Sequence, residues 1–425
     1  MRVEKPREIA VEVLLGRQKG EYVESLLDSA LKKHELKSAD RGFLQELVYG
    51  VVRWELTLDW LIAQKTGGKP QKEIVQTLLR LALYQMFWLD RVPSYAAVNE
   101  TVEICKKSGL QAQAKFVNAV LRGYDREREA TREGLADLKR SKPAIGFSHP
   151  EWLWRRWEKE WGSERVIRLL EWNNSPPPVF ARVNTLKTNA VELLKIWREE
   201  EVVAEPVNVN WVSVQTVFRL ESYPSLARLR SFADGLFYVQ DPSTLLAPAL
   251  LGARSGESIL DLCAAPGGKT TYIAQLMQND GRVVARDIDP ARLKMVHENA
   301  ERLGATSVST QSSEDALFDR VLVDAPCSNT GVMRRRVELR WRIQPEEMKR
   351  LAQTQLKLLQ AAASQVRVGG VLLYSTCSLE RDENQVVVGK FLAEKNGFSL
   401  DQERTLTPMS DEVDGAYCAR MIRRA

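Results

Sequence analysis

The 425-residue sequence has few of the residues that build metal centres and disulfide frameworks. It contains three histidines, His34, His149 and His297, and five cysteines, an odd number with no C-x-x-C pair. Structural disulfides need paired cysteines, and zinc ligands recur at short, regular spacings. We therefore expect no disulfide framework, no metal site and no histidine-based catalytic triad.

Long apolar segments are scarce as well. No uninterrupted apolar run approaches the ~18 residues that a membrane-spanning helix requires, and the first residues, MRVEKPREIAVEVLLG, contain no signal-peptide core. We therefore expect a cytoplasmic protein without a membrane partner. The formal net charge of +5 is compatible with a nucleic-acid partner, although many basic proteins bind none.

The spacing of apolar residues divides the first half of the chain into three regions. Residues 1–130 carry them at helical intervals, as in FLQELVYGVVRWELTLDWLIAQ, which predicts an all-α domain. The highly charged residues 131–146 are predicted to be a linker with some helix. Residues 147–235 combine a strand, Val179 to Val183, with helical segments, which predicts a small α+β domain.

The α+β region opens with a tryptophan-rich stretch, HPEWLWRRWEKEW, that has two interpretations. Its tryptophans could stack on bases while Arg155 and Arg156 contact phosphates. Alternatively, they bury one face of an amphipathic helix. The residues concerned are Trp152, Trp154, Trp157 and Trp161.

Residues 236–425 alternate between predicted strands and helices. SILDLCAA, GRVVARDID, FDRVLVDAP and GGVLLYSTCS are predicted strands, and helical segments separate them. Regular β-α alternation implies a parallel sheet covered by helices on both faces. Ligands of such α/β domains bind at the carboxyl ends of the strands, near the point where the strand order reverses.

A glycine turn follows the first of these strands, in CAAPGGKTT. It is not a phosphate-binding P-loop, because Cys263 occupies the place of the first glycine, and no G-x-G-x-x-G occurs. Gly267 and Gly268 still allow a ligand to approach backbone N–H groups at a helix start, which predicts a nucleotide-like cofactor. Asp287, at the end of the next strand, would accept hydrogen bonds from a ribose. Alternatively, Asp287 or Asp289 only caps the following helix.

Two cysteines follow predicted strands instead of interrupting them. Cys327 lies in VLVDAPCSNTG, where the chain leaves a strand, and Cys377 holds the matching place in GGVLLYSTCS. A thiol at a ligand-binding edge suggests a substrate carbon that is activated by covalent addition. If these two strands flank the first one, both thiols face one cleft. The alternative is a buried, inert cysteine, which we expect for Cys105 and Cys418.

Three stretches resemble motifs of a known family and occur in the family's order. LDLCAAPGGKT, DAPCSNTGVMRRR and YSTCSLERDENQ are similar to motifs I, IV and VI of the RNA 5-methylcytosine methyltransferases of the Nop/Sun superfamily. DRGFLQELVYGVVRW and FVNAVLR resemble a NusB-like helical domain, and DGAYCARMIRR resembles the family's closing β-hairpin. The resemblance covers essentially the whole chain. It implies an N-terminal all-α NusB-like RNA-binding domain, a small α+β middle domain and a C-terminal α/β Rossmann-like class I methyltransferase domain.

The resemblance also implies an activity and roles for individual residues. Members of the family use S-adenosylmethionine to methylate cytosine C5 in RNA through a covalent bond between a cysteine and C6. By resemblance, Cys377 is the nucleophile, Cys327 assists product release, and Asp324 contacts the cofactor or the target base. The fusion with a NusB-like domain favours 16S ribosomal RNA as the substrate, and we expect a monomer. The residues expected to hold the cofactor are Cys263, Ala264, Ala265, Pro266, Gly267, Gly268, Lys269, Asp287 and Asp324.

The chain departs from the family pattern after its third predicted strand. The family usually has an acid in a GD pair there, which contacts the adenine region, whereas this chain reads TQSSEDALFD. Glu314 and Asp315 are candidate substitutes, so the adenine contact stays unassigned.

The stretch VMRRRVELRWR places several arginines directly after the Cys327 motif. They could hold an RNA backbone electrostatically, or they could form a solvated basic surface. The residues concerned are Arg334, Arg335, Arg336, Arg340 and Arg342.

Two other functions are considered beside methylation of 16S ribosomal RNA. One is the same chemistry on another RNA, such as transfer RNA, which the sequence does not exclude. The other is a non-catalytic RNA-binding protein in ribosome assembly, and the presence of Cys327, Cys377 and Asp324 argues against it.

Overall fold

The computed structural model describes residues 5–311, 316–395 and 397–424. Contacts between residues divide the chain into two compact units. The first comprises Met1–Ser175 and Arg336–Arg342, and the second comprises Pro176–Arg335 and Ile343–Ala425. Among the helices of the described residues, none could span a bilayer.

The first unit consists of helices joined by short turns. The helical character predicted for residues 1–130 is confirmed, and the predicted linker, residues 131–146, is itself largely helical. The helix bounds are α1 Pro6–Gln18, α2 Val23–Lys33, α3 Ser38–Arg53, α4 Glu55–Thr66, α5 Glu73–Trp88, α6 Ser94–Lys107, α7 Gln111–Arg126, α8 Arg128–Ser141, α9 Pro143–Gly146, α10 Glu151–Trp161 and α11 Ser163–Asn174.

Helix α5 is the central helix of this unit. It buries apolar side chains on most of its surface, as expected of a helix with neighbours on several sides. Helices α1, α3, α4, α6 and α7 all pack against it. Its contact with α3 requires a glycine, because a Cβ at Gly50 would lie 1.9 Å from the ring of Tyr84.

A segment from much later in the chain completes the helical unit. It contains α17, Leu339–Arg342, and its Arg340 side chain is fully buried. The Arg340 guanidinium donates to oxygens at the carboxyl ends of α3 and α11, which carry the negative ends of the helix dipoles. Burial lowers the pKa of Arg340, and these oxygens provide compensating hydrogen bonds. The acceptors are the backbone oxygens of Arg53, Ser148 and Asn173 and the side-chain oxygen of Asn174.

Two further residues bind this segment to the helical unit. Glu338 is buried and accepts hydrogen bonds from Arg17 Nε at 3.0 Å and from the backbone N–H of Val23 at 2.9 Å. The indole N–H of Trp341 donates to the backbone oxygen of Val52 at 2.7 Å. Glu338, Arg340 and Trp341 therefore anchor residues 336–342 in the helical unit.

The tryptophan-rich stretch forms α10, and the structure favours burial for its role. The helix buries Leu153, Trp154 and Trp157, and Trp157 has no exposed surface. Trp157 also stacks on Trp161 with ring centroids 6.3 Å apart. Arg155 lies on the exposed side of the helix and pairs with Glu151. The amphipathic-helix interpretation therefore fits the structure better than base stacking.

The second unit begins with a four-stranded antiparallel sheet in the order β2-β3-β1-β4. Trp197 of α12 is buried against this sheet and packs edge-on against Phe218 and Phe237. The predicted strand from Val179 to Val183 is confirmed as β1. The element bounds are β1 Val179–Val183, α12 Ala190–Glu199, β2 Val203–Val207, β3 Val217–Ser222, the 3-10 helix Leu226–Arg228, α13 Arg230–Ala233 and β4 Phe237–Val239.

The rest of the second unit is built on a seven-stranded sheet in the order β10-β11-β9-β8-β5-β6-β7. Helices lie between its strands in the chain, as the alternating pattern predicted. The bounds up to β8 are the 3-10 helix Pro242–Leu245, α14 Leu246–Leu251, β5 Ser258–Leu262, α15 Gly268–Leu276, β6 Arg282–Arg286, α16 Pro290–Leu303, β7 Val308–Ser309 and β8 Phe318–Asp324. The later bounds are the 3-10 helix Thr330–Val332, α18 Pro345–Ala363, β9 Val366–Thr376, α19 Gln385–Glu394, β10 Phe398–Leu406, α20 Pro408–Asp411 and β11 Ala416–Arg423.

One part of the sheet differs from the parallel sheet predicted. Strands β7, β6, β5, β8 and β9 pair in parallel, but β11 is antiparallel to both β9 and β10. The reason is that β10 and β11 form a hairpin, whose strands must be antiparallel, and β11 inserts beside β9. The sheet is therefore mixed, and the predicted closing hairpin is present. Strand order reverses between β5 and β8, where an α/β sheet offers a crevice for ligands.

We expect Arg340→Met to destabilise the helical unit by about 3 kcal/mol, because four buried oxygens would lose their donor. Urea unfolding, followed by circular dichroism, would measure the change. Arg336→Met is the matched control, since Arg336 lies in the same segment but is exposed. Equal unfolding midpoints for the two variants would contradict a structural role for Arg340.

Candidate functional site

Two thiols lie together at the carboxyl ends of neighbouring parallel strands. Strands β8 and β9 pair in a register that places Asp324 opposite Ser375. Cys327 and Cys377 follow shortly after these residues, and their Sγ atoms are 3.4 Å apart. The condition considered from the sequence, that both strands flank β5, is not met, since β8 lies between β5 and β9. The two thiols nevertheless meet, because their strands are direct neighbours.

A buried carboxylate fastens together the two loops that carry these thiols. Glu383 has no exposed surface and accepts the backbone N–H of Ser328 at 2.9 Å and the hydroxyl of Ser378 at 2.6 Å. It also accepts the Ser328 hydroxyl and the side-chain amide of Gln355. Burial raises the pKa of Glu383. Because Ser328 follows Cys327 and Ser378 follows Cys377, these bonds restrict how far the sulfur atoms separate.

The glycine turn lies at the carboxyl end of β5, beside β8. Gly267 has a φ of +101°, a backbone conformation that only glycine adopts readily, and a Cβ there would lie 3.2 Å from Val296. Helix α15 begins at the next residue, and the N–H groups of its first turn have no partner within the helix. The hydroxyl of Thr270, in that first turn, donates to the buried Asp261 at 2.6 Å. The turn therefore presents backbone donors at a fixed place on the sheet edge.

Lys269, from the glycine turn, and Asp324, from the end of β8, form an ion pair. The Lys269 Nζ lies 2.7 Å from Asp324 Oδ2, and both side chains are partly exposed. Burial disfavours the lysine charge, but the Asp324 carboxylate more than offsets it and raises the pKa of Lys269. The Cys377 thiol also interacts electrostatically with this lysine. A permanent cation therefore lies beside the thiol pair.

Asp287 follows β6 and is held mainly by backbone groups. Its side chain is 2% exposed and accepts N–H groups of Ala265 at 3.3 Å and Asp289 at 3.1 Å. The capping role belongs to Asp289, whose side chain accepts the N–H of Ala291 at the start of α16. Asp287 thus connects β6 to the glycine turn. Its contact with a ribose stays a prediction.

The three other cysteines are not placed for nucleophilic chemistry. Burial raises the pKa of Cys263 to about 12 and that of Cys418 to about 12. Burial also raises the pKa of Cys105, which is fully buried in the helical unit. These groups stay protonated near neutral pH and behave as small apolar side chains. The expectation that Cys105 and Cys418 are buried is therefore confirmed.

The buried arginines after the Cys327 motif have partners within the protein. Arg334 Nε lies 2.6 Å from one oxygen of Asp414, and Arg335 Nε lies 2.5 Å from the other. Arg335 also pairs with Asp241 at 2.7 Å. Together with the buried Arg340, these side chains make internal contacts, which disfavours an RNA-binding role for these three of the five arginines. Arg336 is the exposed member of the group.

Sequence reasoning missed three side chains at this edge of the sheet. Asn329 contacts Cys377, Glu383 joins the two thiol loops, and Ile288 exposes 98% of its surface directly after Asp287. The Glu-Asn pair in STCSLERDENQ was the available signal for Glu383, but nothing in its spacing indicated burial.

Glu314 and Asp315, the candidate substitutes for the adenine-side acid, lie outside the described residues. Within those residues, no cluster of metal-ligating side chains occurs.

Three models of known sequence families match the chain. The model described as 16S rRNA methyltransferase RsmB/F matches residues 248–422. The NusB family model matches residues 4–126, and the model of the RsmF/B-like ferredoxin-like domain matches residues 149–216. The predicted fold class is confirmed: a helical NusB-like domain, a small α+β domain and a Rossmann-like methyltransferase domain. The exact domain boundaries stay predictions.

Relatives of the chain share most of its length. "Probable ribosomal RNA small subunit methyltransferase B" of Bacillus subtilis is 37% identical over 410 residues, which cover 93% of this chain and 90% of the relative. "Ribosomal RNA small subunit methyltransferase B" of Erwinia tasmaniensis is 33% identical over 427 residues, 96% of each chain. The crystal structure of PH0851 matches with a TM-score of 0.78 at 24% identity and covers 99% of both chains, which shows a shared fold.

Asp261, beneath the glycine turn, should make stability depend on pH. Burial raises its pKa to about 7, against ~3.9 for an unfolded aspartate. Between these values the unfolded chain loses a proton that the folded protein keeps, so this contribution to stability is full below about pH 4 and falls as the pH rises to about 7. We expect the difference in unfolding free energy between the unmodified protein and Asp261→Asn to fall by roughly 3 kcal/mol from about pH 4.5 to pH 8.

Denaturant unfolding at a series of pH values would measure this difference. Subtracting the Asp261→Asn result removes the contributions of all other titrating groups. A difference that stays constant over the whole range would contradict the raised pKa of Asp261.

Proposed function

The chain belongs to the RsmB/F family of 16S rRNA methyltransferases, which use S-adenosylmethionine, and on that premise we propose that it methylates C5 of a cytosine through a covalent cysteine adduct. The observation that carries the proposal is the pair of thiols, Cys327 and Cys377, with sulfur atoms 3.4 Å apart at the ligand-binding edge of the sheet. An exocyclic amine is already nucleophilic and needs no such pair. Cytosine C5 is a poor nucleophile and requires prior addition at C6.

The residues around the glycine turn fit S-adenosylmethionine. The first turn of α15 offers backbone N–H groups that have no partner within the helix, next to the left-handed turn at Gly267. Asp287 offers a carboxylate for ribose hydroxyls, and the exposed Ile288 offers an apolar surface for a flat base. The remaining residues of the predicted set, Cys263, Ala264, Ala265, Pro266, Gly268, Lys269 and Asp324, line or adjoin this turn. S-adenosylmethionine, when bound, supplies an electrophilic methyl group.

Cys377 is the proposed nucleophile. Its thiolate forms a bond to C6 of the cytosine, and the electron pair of the C5–C6 double bond moves so that C5 becomes nucleophilic and takes the methyl group. Lys269 interacts electrostatically with Cys377 and would supply a positive charge beside the thiolate that this step requires. The target base must leave any helical stack to reach this sulfur atom, which favours an unpaired or looped RNA.

Cys327 is proposed to complete the reaction. Its hydrogen bond with Cys377, followed by burial, raises its pKa, so Cys327 is a thiol in the resting protein. That hydrogen bond is lost once the Cys377 sulfur is bonded to C6, which favours ionisation of Cys327. The Cys327 thiolate then accepts the proton from C5, the C5–C6 double bond re-forms, and the bond between C6 and Cys377 breaks. The monomeric state and the cytoplasmic location stay predictions.

We expect Cys327→Ala to accumulate a covalent protein–RNA adduct when it is incubated with S-adenosylmethionine and 16S rRNA. Addition and methyl transfer need Cys377, whereas release needs Cys327. Denaturing gel electrophoresis with labelled RNA would reveal the adduct, and the Cys327→Ala/Cys377→Ala variant should form none. Cys105→Ala is the matched control and should behave as the unmodified protein. An adduct that persists without Cys377 would remove it as the nucleophile.

Bisulfite sequencing tests which base is modified and which RNA is the substrate. We expect 16S rRNA from a deletion strain to lack one or more 5-methylcytosines and to regain them after treatment with the purified protein and S-adenosylmethionine. Transfer RNA from the same strain is the parallel substrate. Cytosines restored only in transfer RNA would indicate that substrate instead. An unchanged pattern in both RNAs would favour a non-catalytic RNA-binding role.

A further inference from the structure

Asn329 lies in the Cys327 loop, at a position where its side chain reaches the other thiol. Its backbone is left-handed, with φ of 57° and ψ of 26°, directly before the 3-10 helix Thr330–Val332. Asparagine tolerates this conformation better than most residues. The side chain is thereby turned back over the loop, and its Oδ1 lies 3.0 Å from Cys377 Sγ.

The orientation of the Asn329 amide is fixed by a second hydrogen bond. Its Nδ2 donates to the backbone oxygen of Cys327 at 2.7 Å. A flipped amide would bring two oxygens together at that point, so the Oδ1 atom must face Cys377. An amide oxygen accepts hydrogen bonds and cannot donate them. It therefore stabilises the S–H form of Cys377 and offers nothing to the thiolate.

Titratable groups from several elements lie around Cys377. Lys269 of α15 interacts electrostatically with it, and this lysine is in turn paired with Asp324 at the end of β8. Cys327 lies 3.4 Å away, and the carboxylate of Glu383, next to α19, interacts with Cys327. Asn329 and the Cys327 thiol are uncharged, and both contact Cys377 directly.

We propose that Asn329 is a positioning residue that holds Cys377 protonated and oriented until the target base is bound. The amide oxygen accepts the S–H, so a free thiolate at this exposed edge forms less readily before RNA arrives. When the base is in place, the Cys377 proton passes to solvent, the hydrogen bond to Asn329 is lost, and the thiolate adds to C6. The catalytic role of this hydrogen bond rests on the proposed function, but the contact between Asn329 and the Cys377 thiol does not.

Asn329→Gly removes the side chain and leaves the backbone conformation in place, because glycine adopts the left-handed conformation without strain. We expect it to shift the pH dependence of Cys377 alkylation by iodoacetamide. The half-maximal rate should move to lower pH by about half a unit to one unit, which raises the rate near neutral pH about three- to tenfold. Mass spectrometry of the Cys377 peptide would follow the reaction, with neither RNA nor S-adenosylmethionine present.

Two companion variants sharpen the test. Asn329→Asp places a negative charge beside the thiol and should move the half-maximal rate to higher pH. Gln215→Gly is the matched backbone control, since Gln215 is exposed and also has a positive φ of 62°, and it should leave the profile unchanged. Greater access to the thiol alone would raise the rate of Asn329→Gly equally at all pH values without moving the midpoint, and that result would overturn the proposal. Superimposed profiles for Asn329→Gly and the unmodified protein would overturn it too.

Methylation assays separate this proposal from the proposed function. We expect the acid limb of the methylation rate of Asn329→Gly to move to lower pH, while Cys377→Ser loses activity altogether. If the alkylation profile shifts but the unmodified protein methylates no RNA, the positioning of Cys377 stands and the proposed function fails. If methylation occurs as proposed but neither profile shifts, the function stands and the role of Asn329 is wrong.

Discussion

The pairing of β8 with β9 in one register is the constraint on which the candidate site depends. The two strands are parallel neighbours, so their carboxyl ends finish at the same level of the sheet, and Asp324 lies opposite Ser375. The loops that follow must then run side by side, and the buried Glu383 accepts hydrogen bonds from both of them. The distance between the two thiols therefore depends on the strand register and on the hydrogen bonds that Glu383 accepts.

Burial divides the cysteines of the second unit into two classes. Cys263 and Cys418 are surrounded by protein that disfavours charge, and burial raises the pKa of each to about 12. Cys377 instead lies beside the Lys269 cation, a neighbouring thiol and an amide oxygen. Cys327 and Cys377 are the two cysteines whose sulfur atoms contact each other, and the proposed thiol chemistry is placed at this pair.

Sequence reasoning succeeded where the relevant interactions are local or periodic. The helices of the N-terminal region follow from apolar spacing, and the meeting of Cys327 with Cys377 follows from strand ends that share one edge. It failed where the partner lies far away in the chain. Arg334 pairs with Asp414, eighty residues later, and nothing in VMRRRVELRWR indicates that acid. The contact between Asn329 and Cys377 was missed as well. It depends on the left-handed backbone of Asn329, which the spacing of apolar residues does not indicate.

The placement of Arg336–Arg342 in the helical unit has a consequence for how the protein is divided. A chain that ends at Ser175 would lack Arg340, and the carboxyl ends of α3 and α11 would lose their shared donor. The helical unit is therefore completed by residues that the chain reaches only after β8, although the NusB family model ends at residue 126. The polypeptide passes from one unit to the other after Ser175, after Arg335 and after Arg342. A division of the chain at one point therefore cannot separate the two units.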